Sequence, residues 1–391
     1  MGQEYTLNRI LDYTIDGDSV WLITTEFPYF FLKYNFTTKE FANVKAFPDA
    51  VQKFDFPFRY LRKAGREIFF FPEDMNEIYI WGIDTEEFQI LKFENGKDDF
   101  FKQKQFYPIE SEKYVYFISV MAQTLIQIEK KSKKSKIIDI SQGRHAEIRC
   151  AHRAYYTFLP CMYQGKVLIP MQSRVIAYDE NKDEISTFIA EEIKLKSLDD
   201  GFSDYFYGVL NLKNRVVVYT YCGEVFEKEG TTLKKIEMIG TEQTVKKDGY
   251  YRPVFLDATV FEHEMVFWVN FSSHAYKLSE TEKKLKKLEL PGDILITGST
   301  IKVKDSVSCM ICSWRMNHVF SFDILDGHAE KYQMRFDLHS ADFIRMLRLA
   351  EKLGTFLIDY PEGLFAVLSG NKKIEKKKEE NTVGTAIYKS L

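Results

Sequence analysis

A run of β-branched and aromatic residues returns along this chain at a nearly constant interval, and that repetition limits the fold more than any other feature. The runs begin at Val20 (VWLIT), Phe69, Val115, Val167, Val216, Met265, Val307 and Thr355, with gaps of 49, 46, 52, 49, 49, 42 and 48 residues. Each is a short apolar stretch bounded by turn residues, which is how a strand buried on both faces reads. A strand-like segment precedes each run across a tight turn, as from Ile10 to Val20 through Asp16-Gly17-Asp18, and from Phe158 to Val167 through Gln164-Gly165. A further strand and then a polar one follow, joined by Asx-type turns in stretches such as Tyr34 to Phe41, Ile83 to Phe88, Tyr178 to Asp183 and Phe322 to Gly327. The pattern predicts an all-β chain with four short strands in each unit of about 48 residues.

Four strands in a unit of this length match one blade, and nearly the whole chain resembles the β-propeller superfamily. The resemblance is architectural. The sequence has no Trp-Asp dipeptide closing a blade, no kelch-type Gly-Gly pair and no sialidase-type Asp box, so the resemblance implies a ring without implying a family activity. Dividing 391 residues by the repeat gives about eight blades. The alternative is seven blades plus a C-terminal extension, because Phe343, Met346, Leu347, Ala350 and Leu353 recur at helical spacing where an eighth blade would begin. Residues 1–370 are expected to form one propeller domain, with 371–391 either the last outer strand or a charged tail.

Composition removes several function classes. Lys plus Arg total 54 against 57 Asp plus Glu, a formal charge of −3, which lacks the basic excess that binding a phosphate backbone requires. Nucleic acid is therefore not an expected partner. No secretory n-region or h-region opens the sequence and no apolar run approaches membrane-spanning length, so a cytoplasmic protein without membrane attachment is expected. The five cysteines are scattered and odd in number, which does not read as a disulfide framework. Three lysine-rich runs, 130–136, 283–287 and 372–378, fall at or after the turn into an outermost strand, where lysines discourage unwanted strand pairing.

Motifs for chemistry are sparse. There is no phosphate loop, dinucleotide fingerprint, HExxH or GxSxG sequence. Cys309-Met310-Ile311-Cys312 has metal-ligand spacing, but on a strand residues three apart point to opposite faces, so one ion cannot take both. No metal site and no cofactor are expected.

Overlaying the repeats gives candidate positions instead. In a propeller, the connections entering the innermost strands and those joining second to third strands share the face around the channel mouth. About ten residues before the apolar runs stand Arg9, Arg59, Tyr156, Phe206 with Tyr207, and Arg345, with Arg252 slightly further upstream. The second set of connections adds Glu26, Glu73, Asp74, Gln172, Arg174, Tyr221, Ser272, His274, Trp314, Arg315 and His318. Arginine forks take carboxylate or phosphate through paired hydrogen bonds, and aromatic faces stack on sugars, so this mouth suits a small anionic or glycan-like ligand or an acidic segment of a protein partner. The expected function is a non-catalytic binding propeller. The alternative is a lyase or hydrolase acting on an acidic sugar, with His274 or His318 as the proton-transfer group and arginines as a substrate clamp. The competing reading of the same arginines is structural, paired with Glu26, Glu73 and Asp74 in the channel wall.

Overall fold

Side chains alternate across a strand, so a continuous apolar run means that both of its faces meet other protein. The structure, a computed structural model, describes residues 4–6, 10–24, 30–48, 50–51, 57–72, 77–92, 106–119, 124–141, 159–171, 174–190, 204–238, 245–247, 250–292, 294–296, 299–313, 318–333 and 335–337. Seven blades follow one another along the chain, each built on four antiparallel strands from one uninterrupted stretch, and the sixth carries a short fifth strand along its outer edge. Blade 1 comprises Ile10–Asp16, Ser19–Thr24, Phe30–Asn35 and Glu40–Ala46. The second strands of the other six, Glu67–Pro72, Tyr114–Ser119, Lys166–Met171, Arg215–Thr220, Glu264–Val269 and Ser308–Ser313, coincide with the remaining apolar runs up to Val307.

The packing explains those runs. In blade 1, Val20 and Leu22 enter a core shared with Met310 and Cys312 of blade 7, whereas Trp21 and Ile23 enter a core shared with Phe70 and Tyr79 of blade 2. Phe69 and Phe71 turn the other way and pack with Val115 and Phe117 of blade 3. Cys309 and Cys312 part as their spacing predicts, the first into the core between blades 6 and 7 and the second into that between blades 7 and 1. Both are free thiols, and burial pushes both thiol pKa values up.

The ring closes at seven, which corrects the leading count of eight and matches the alternative. Each innermost strand touches the next around the circle, and Ser299–Val303 of blade 7 lies against Ile10–Asp16 of blade 1. Tyr13 Oη donates to the Met310 carbonyl at 2.6 Å, and Lys302 lies 3.3 Å from Asp12, so the first and last blades are bonded directly. No gap is left between them for another blade. A short antiparallel pair, Glu4–Thr6 with Arg335–Asp337, spans the same junction. The eighth run at Thr355, the helical spacing over 341–353 and the proposed tail 371–391 lie outside the described residues.

The turns into the outermost strands behave as their residues dictate. Asn35, Asp179 and Asp323 each accept backbone N–H bonds from the residues that follow, closing Asx turns. Lys39, Glu86, Lys133 and Asp183 take positive φ just before their outermost strands, and Gly327 does so inside the corresponding turn of blade 7, which turns the chain tightly between third and fourth strands. The lysine run of blade 3 sits where expected, with Lys133 paired to Glu67 of blade 2 and Lys136 to Asp183 of blade 4. The run in blade 6 differs in one respect. Its strand Lys284–Glu289 is not a bare edge, because Glu237–Met238 lies parallel along it and Glu237 pairs with Lys284 at 2.6 Å.

Candidate functional site

The two ends of the ring are built from different connections. At one end, every turn between first and second strands and between third and fourth strands spans two to five residues. At the other end run the links between blades: 47–57, 93–105, 140–160, 190–205, 236–254 and 290–298. All of them enter the innermost strands from the same side, so the longest connections attach at one channel mouth, and connections are where binding residues are most readily carried.

At that mouth the innermost strands of four blades share a distortion. Register shifts at Ile10/Asp12, Phe58/Tyr60, Phe206/Gly208 and Phe255/Asp257 leave Leu11, Arg59, Tyr207 and Leu256 as the extra residues of β-bulges. A bulge bends the strand and re-aims its neighbours. Arg59 of the predicted set therefore stands at the mouth end of blade 2. Tyr207, another bulge residue, is buried: its hydroxyl donates to the Leu256 carbonyl of blade 6 at 3.5 Å and its ring meets Tyr219 and Tyr221 edge-on. It joins two blades.

Directly after the bulge comes a position that sequence reading passed over. Blade 1 reads Ile10-Leu11-Asp12-Tyr13-Thr14 and blade 6 reads Phe255-Leu256-Asp257-Ala258-Thr259, the same apolar-Leu-Asp-x-Thr pattern five repeats apart. Asp12 is 1% exposed; its Oδ2 accepts the Leu61 N–H of blade 2 at 2.7 Å, and Lys302 of blade 7 reaches it from the other side. Burial raises the Asp12 pKa, with Lys302 and the Leu61 N–H opposing. Asp257 is partly exposed and accepts its neighbour's Ala258 N–H at 2.7 Å; burial raises its pKa to about 7, against the pull of Lys302. In blade 5 the same position is Gly208, where the Tyr219 ring occupies the space a Cβ would need.

The remaining predicted residues divide into three groups. Arg9, Tyr156, Trp314, Arg315 and Arg345 lie outside the described residues, as do Glu26, Glu73, Asp74 and Gln172. Arg174 and Tyr221 are buried fixtures: Arg174 Nη2 donates to the Ser141 carbonyl at 3.0 Å, tying blade 4 to the end of blade 3, and Tyr221 stacks on Tyr205. Arg252 and His274 remain partly exposed on the long-connection side of blade 6. Arg252 ends a small hairpin, Val245–Lys247 with Tyr250–Arg252, that rises from the 236–254 link. His274 begins the third strand, with its Nδ1 hydrogen-bonded to Ser272 Oγ. His318 holds the corresponding place in blade 7. Each histidine thus stands two strands out from the innermost strand, on the rim of the mouth, and the two do not share one blade.

A further group stiffens the mouth. Asp204, 4% exposed, accepts the Tyr205 and Cys222 N–H groups at 2.9 Å each, so one carboxyl holds the approach to blade 5's innermost strand against the turn that follows its second strand. Burial raises its pKa to about 6. Asn270 Nδ2 donates to the Pro253 carbonyl in the same way in blade 6. Among the described residues no group of three His, Cys, Asp or Glu is placed to hold a metal ion, and no helix is long and apolar enough to cross a membrane.

No protein-family profile matches the chain, and no curated protein matches it by sequence. Solved structures do match in shape. Hsv2 from Kluyveromyces lactis, in a form with loop 6CD replaced by a Gly-Ser linker, is similar over 84% of this chain and 99% of its own, with a TM-score of 0.52 and 10% identity. YCF48 from Cyanidioschyzon merolae is similar over 80% of this chain and 94% of its own, with a TM-score of 0.52 and 10% identity. At such identity the likeness establishes the propeller fold alone.

Proposed function

We propose that this chain is a non-catalytic binding propeller that engages a protein partner on the face carrying the long connections. The observation behind this reading is the asymmetry of the ring: the longest connections attach at one mouth, while buried bonds from Asp12, Tyr207, Arg174 and Asp204 fix the framework beneath it. A rigid ring presenting long connections at one end suits recognition over a broad surface. Arg59 and Arg252 would contribute forks for carboxylates of an acidic partner segment, or for a small anionic or glycan-like ligand at the same place. The four described cysteines are free thiols, which agrees with a reducing, cytoplasmic setting. His274 bonds to a serine on the rim, and this gives the lyase or hydrolase reading no support over binding.

The test is a comparison of faces. Partner capture and thermal-shift screening against acidic sugars, sugar phosphates and nucleotides are run on the parent chain, on Arg59→Glu and Arg252→Glu, and on Lys39→Glu and Lys131→Glu at the tight-turn end. Loss confined to the first pair supports the reading. Loss confined to the second pair overturns it. A small-molecule shift abolished by Arg252→Glu would make the anionic ligand the occupant.

A further inference from the structure

We propose that the outermost strand of blade 4, Glu184–Ile189, is the docking edge for a second copy of this chain, the two strands running antiparallel so that two rings share one sheet. An outermost strand turns one row of N–H and C=O groups away from its own sheet, a template for any other strand unless side chains guard it. Six of the seven blades carry that guard as lysine on the strand itself: Lys45, Lys92, Lys136, Lys235, Lys287 and Lys331 for blades 1, 2, 3, 5, 6 and 7. Blade 4 reads Glu-Ile-Ser-Thr-Phe-Ile, with no lysine, arginine, proline or glycine. Its β-branched and aromatic residues favour an extended, pairing backbone.

Packing holds this edge ready. Glu184, Ser186 and Thr187 are exposed. Ile185 packs against the core that blades 3 and 4 share, and Phe188 against the core between blades 4 and 5, with the Lys228 ammonium 4.8 Å from its ring. A bulge at Phe188 bends the far end and leaves 184–187 in unbroken register with 176–179. No further strand lies along this edge among the described residues. Blade 6 shows that an edge of this ring takes one, since Glu237–Met238 runs along its outermost strand with Glu237 on Lys284.

Charge selects the second copy as occupant and sets its direction. The strand's one charge, Glu184, stands at its end, so an antiparallel pair keeps the two carboxylates at opposite ends, whereas a parallel pair in register would set them side by side. The same two-fold pairing on blade 6 would press Lys286 and Lys287 of one copy against those of the other. With one unguarded edge per ring, association closes at two rings and does not run on into a fibre. The pairing uses the outer wall of the ring and is independent of partner binding at the mouth.

Sedimentation equilibrium of the full chain between about 5 and about 200 µM tests this, with a Kd on the order of 10–100 µM expected because one strand pair buries less than a standard interface. In hydrogen exchange, a peptide covering 184–189 should gain protection as concentration rises. Ser186→Lys combined with Thr187→Lys sets two lysines from each copy at the centre of the pair. That variant should stay monomeric throughout and melt with the dilute parent, while Gln89→Lys on the outermost strand of blade 2 should dimerise as the parent does. A parent chain that is monomeric throughout overturns the proposal, as does a dimer that survives the lysine pair or whose added protection lies wholly outside 184–189. Exchange read on the parent decides the matter where the double variant does not fold.

Discussion

The two ends of this ring draw on different proportions of exposed ion pairs and buried bonds. At the tight-turn end, several joins between neighbouring blades are ion pairs in or near solvent, Lys213 with Glu280, Lys136 with Asp183, and Lys39 with Glu330 across the closing seam, while the largely buried Arg215 of blade 5 donates to the Ser279 carbonyl of blade 6. At the mouth, the joins between blades are buried side chains bonded to backbone, Asp12 to Leu61, Tyr207 to Leu256 and Arg174 to Ser141, and within blade 5 Asp204 does the same for Tyr205 and Cys222. Exposed pairs are screened by salt and individually weak, whereas a buried group that loses its partner bears the full desolvation cost. More of the costly fastenings named here therefore lie under the longer connections.

The comparison can be broken most sharply at Asp12. Asp12→Ala strands Lys302 beside an uncapped Leu61 N–H, and denaturant unfolding should show a loss of about 3–5 kcal/mol. An effect as small as that of a surface pair would refute the distinction between the two ends. A smaller, pH-dependent effect is expected at Asp204. Its raised pKa means that its contribution is complete below about pH 4 and is lost as pH rises through about 6, so Asp204→Asn should flatten the slope of melting temperature against pH in that interval. The smallest effect belongs to the other end: Lys213→Ala should cost less than about 1 kcal/mol, and added salt should shrink the difference from the parent.

Much of the architecture was legible because burial on both faces leaves a plain mark. Val20 to Thr24 reads as a continuous apolar run because Leu22 and Ile23 serve two different cores, and the first seven runs all became second strands. The opposed directions of Cys309 and Cys312 followed from strand geometry alone. The blade count was less accessible, since a ring closes through contacts such as Tyr13 with Met310, which are local in space and remote in sequence. The candidate site was legible only in part. Spacing assigned Arg59, Arg252 and His274 to the channel mouth without saying how far each stands from its centre, because strand order is set by pairing. Tyr207 and Arg174 resembled contact residues and are fastenings, since a polar tip on a large side chain serves either purpose. The repeated Leu-Asp-x-Thr of blades 1 and 6 was a readable signal, visible when the innermost strands are aligned with each other in place of the apolar runs.

That every blade is written in one continuous stretch has a consequence for the history of such a chain. Duplicating or deleting a single repeat in the gene would add or remove a whole sheet without splitting one, leaving every remaining hairpin intact. The ring's circumference is then a heritable quantity that changes in whole steps, and the residues under strongest constraint at each step are those at the junction where first and last units meet.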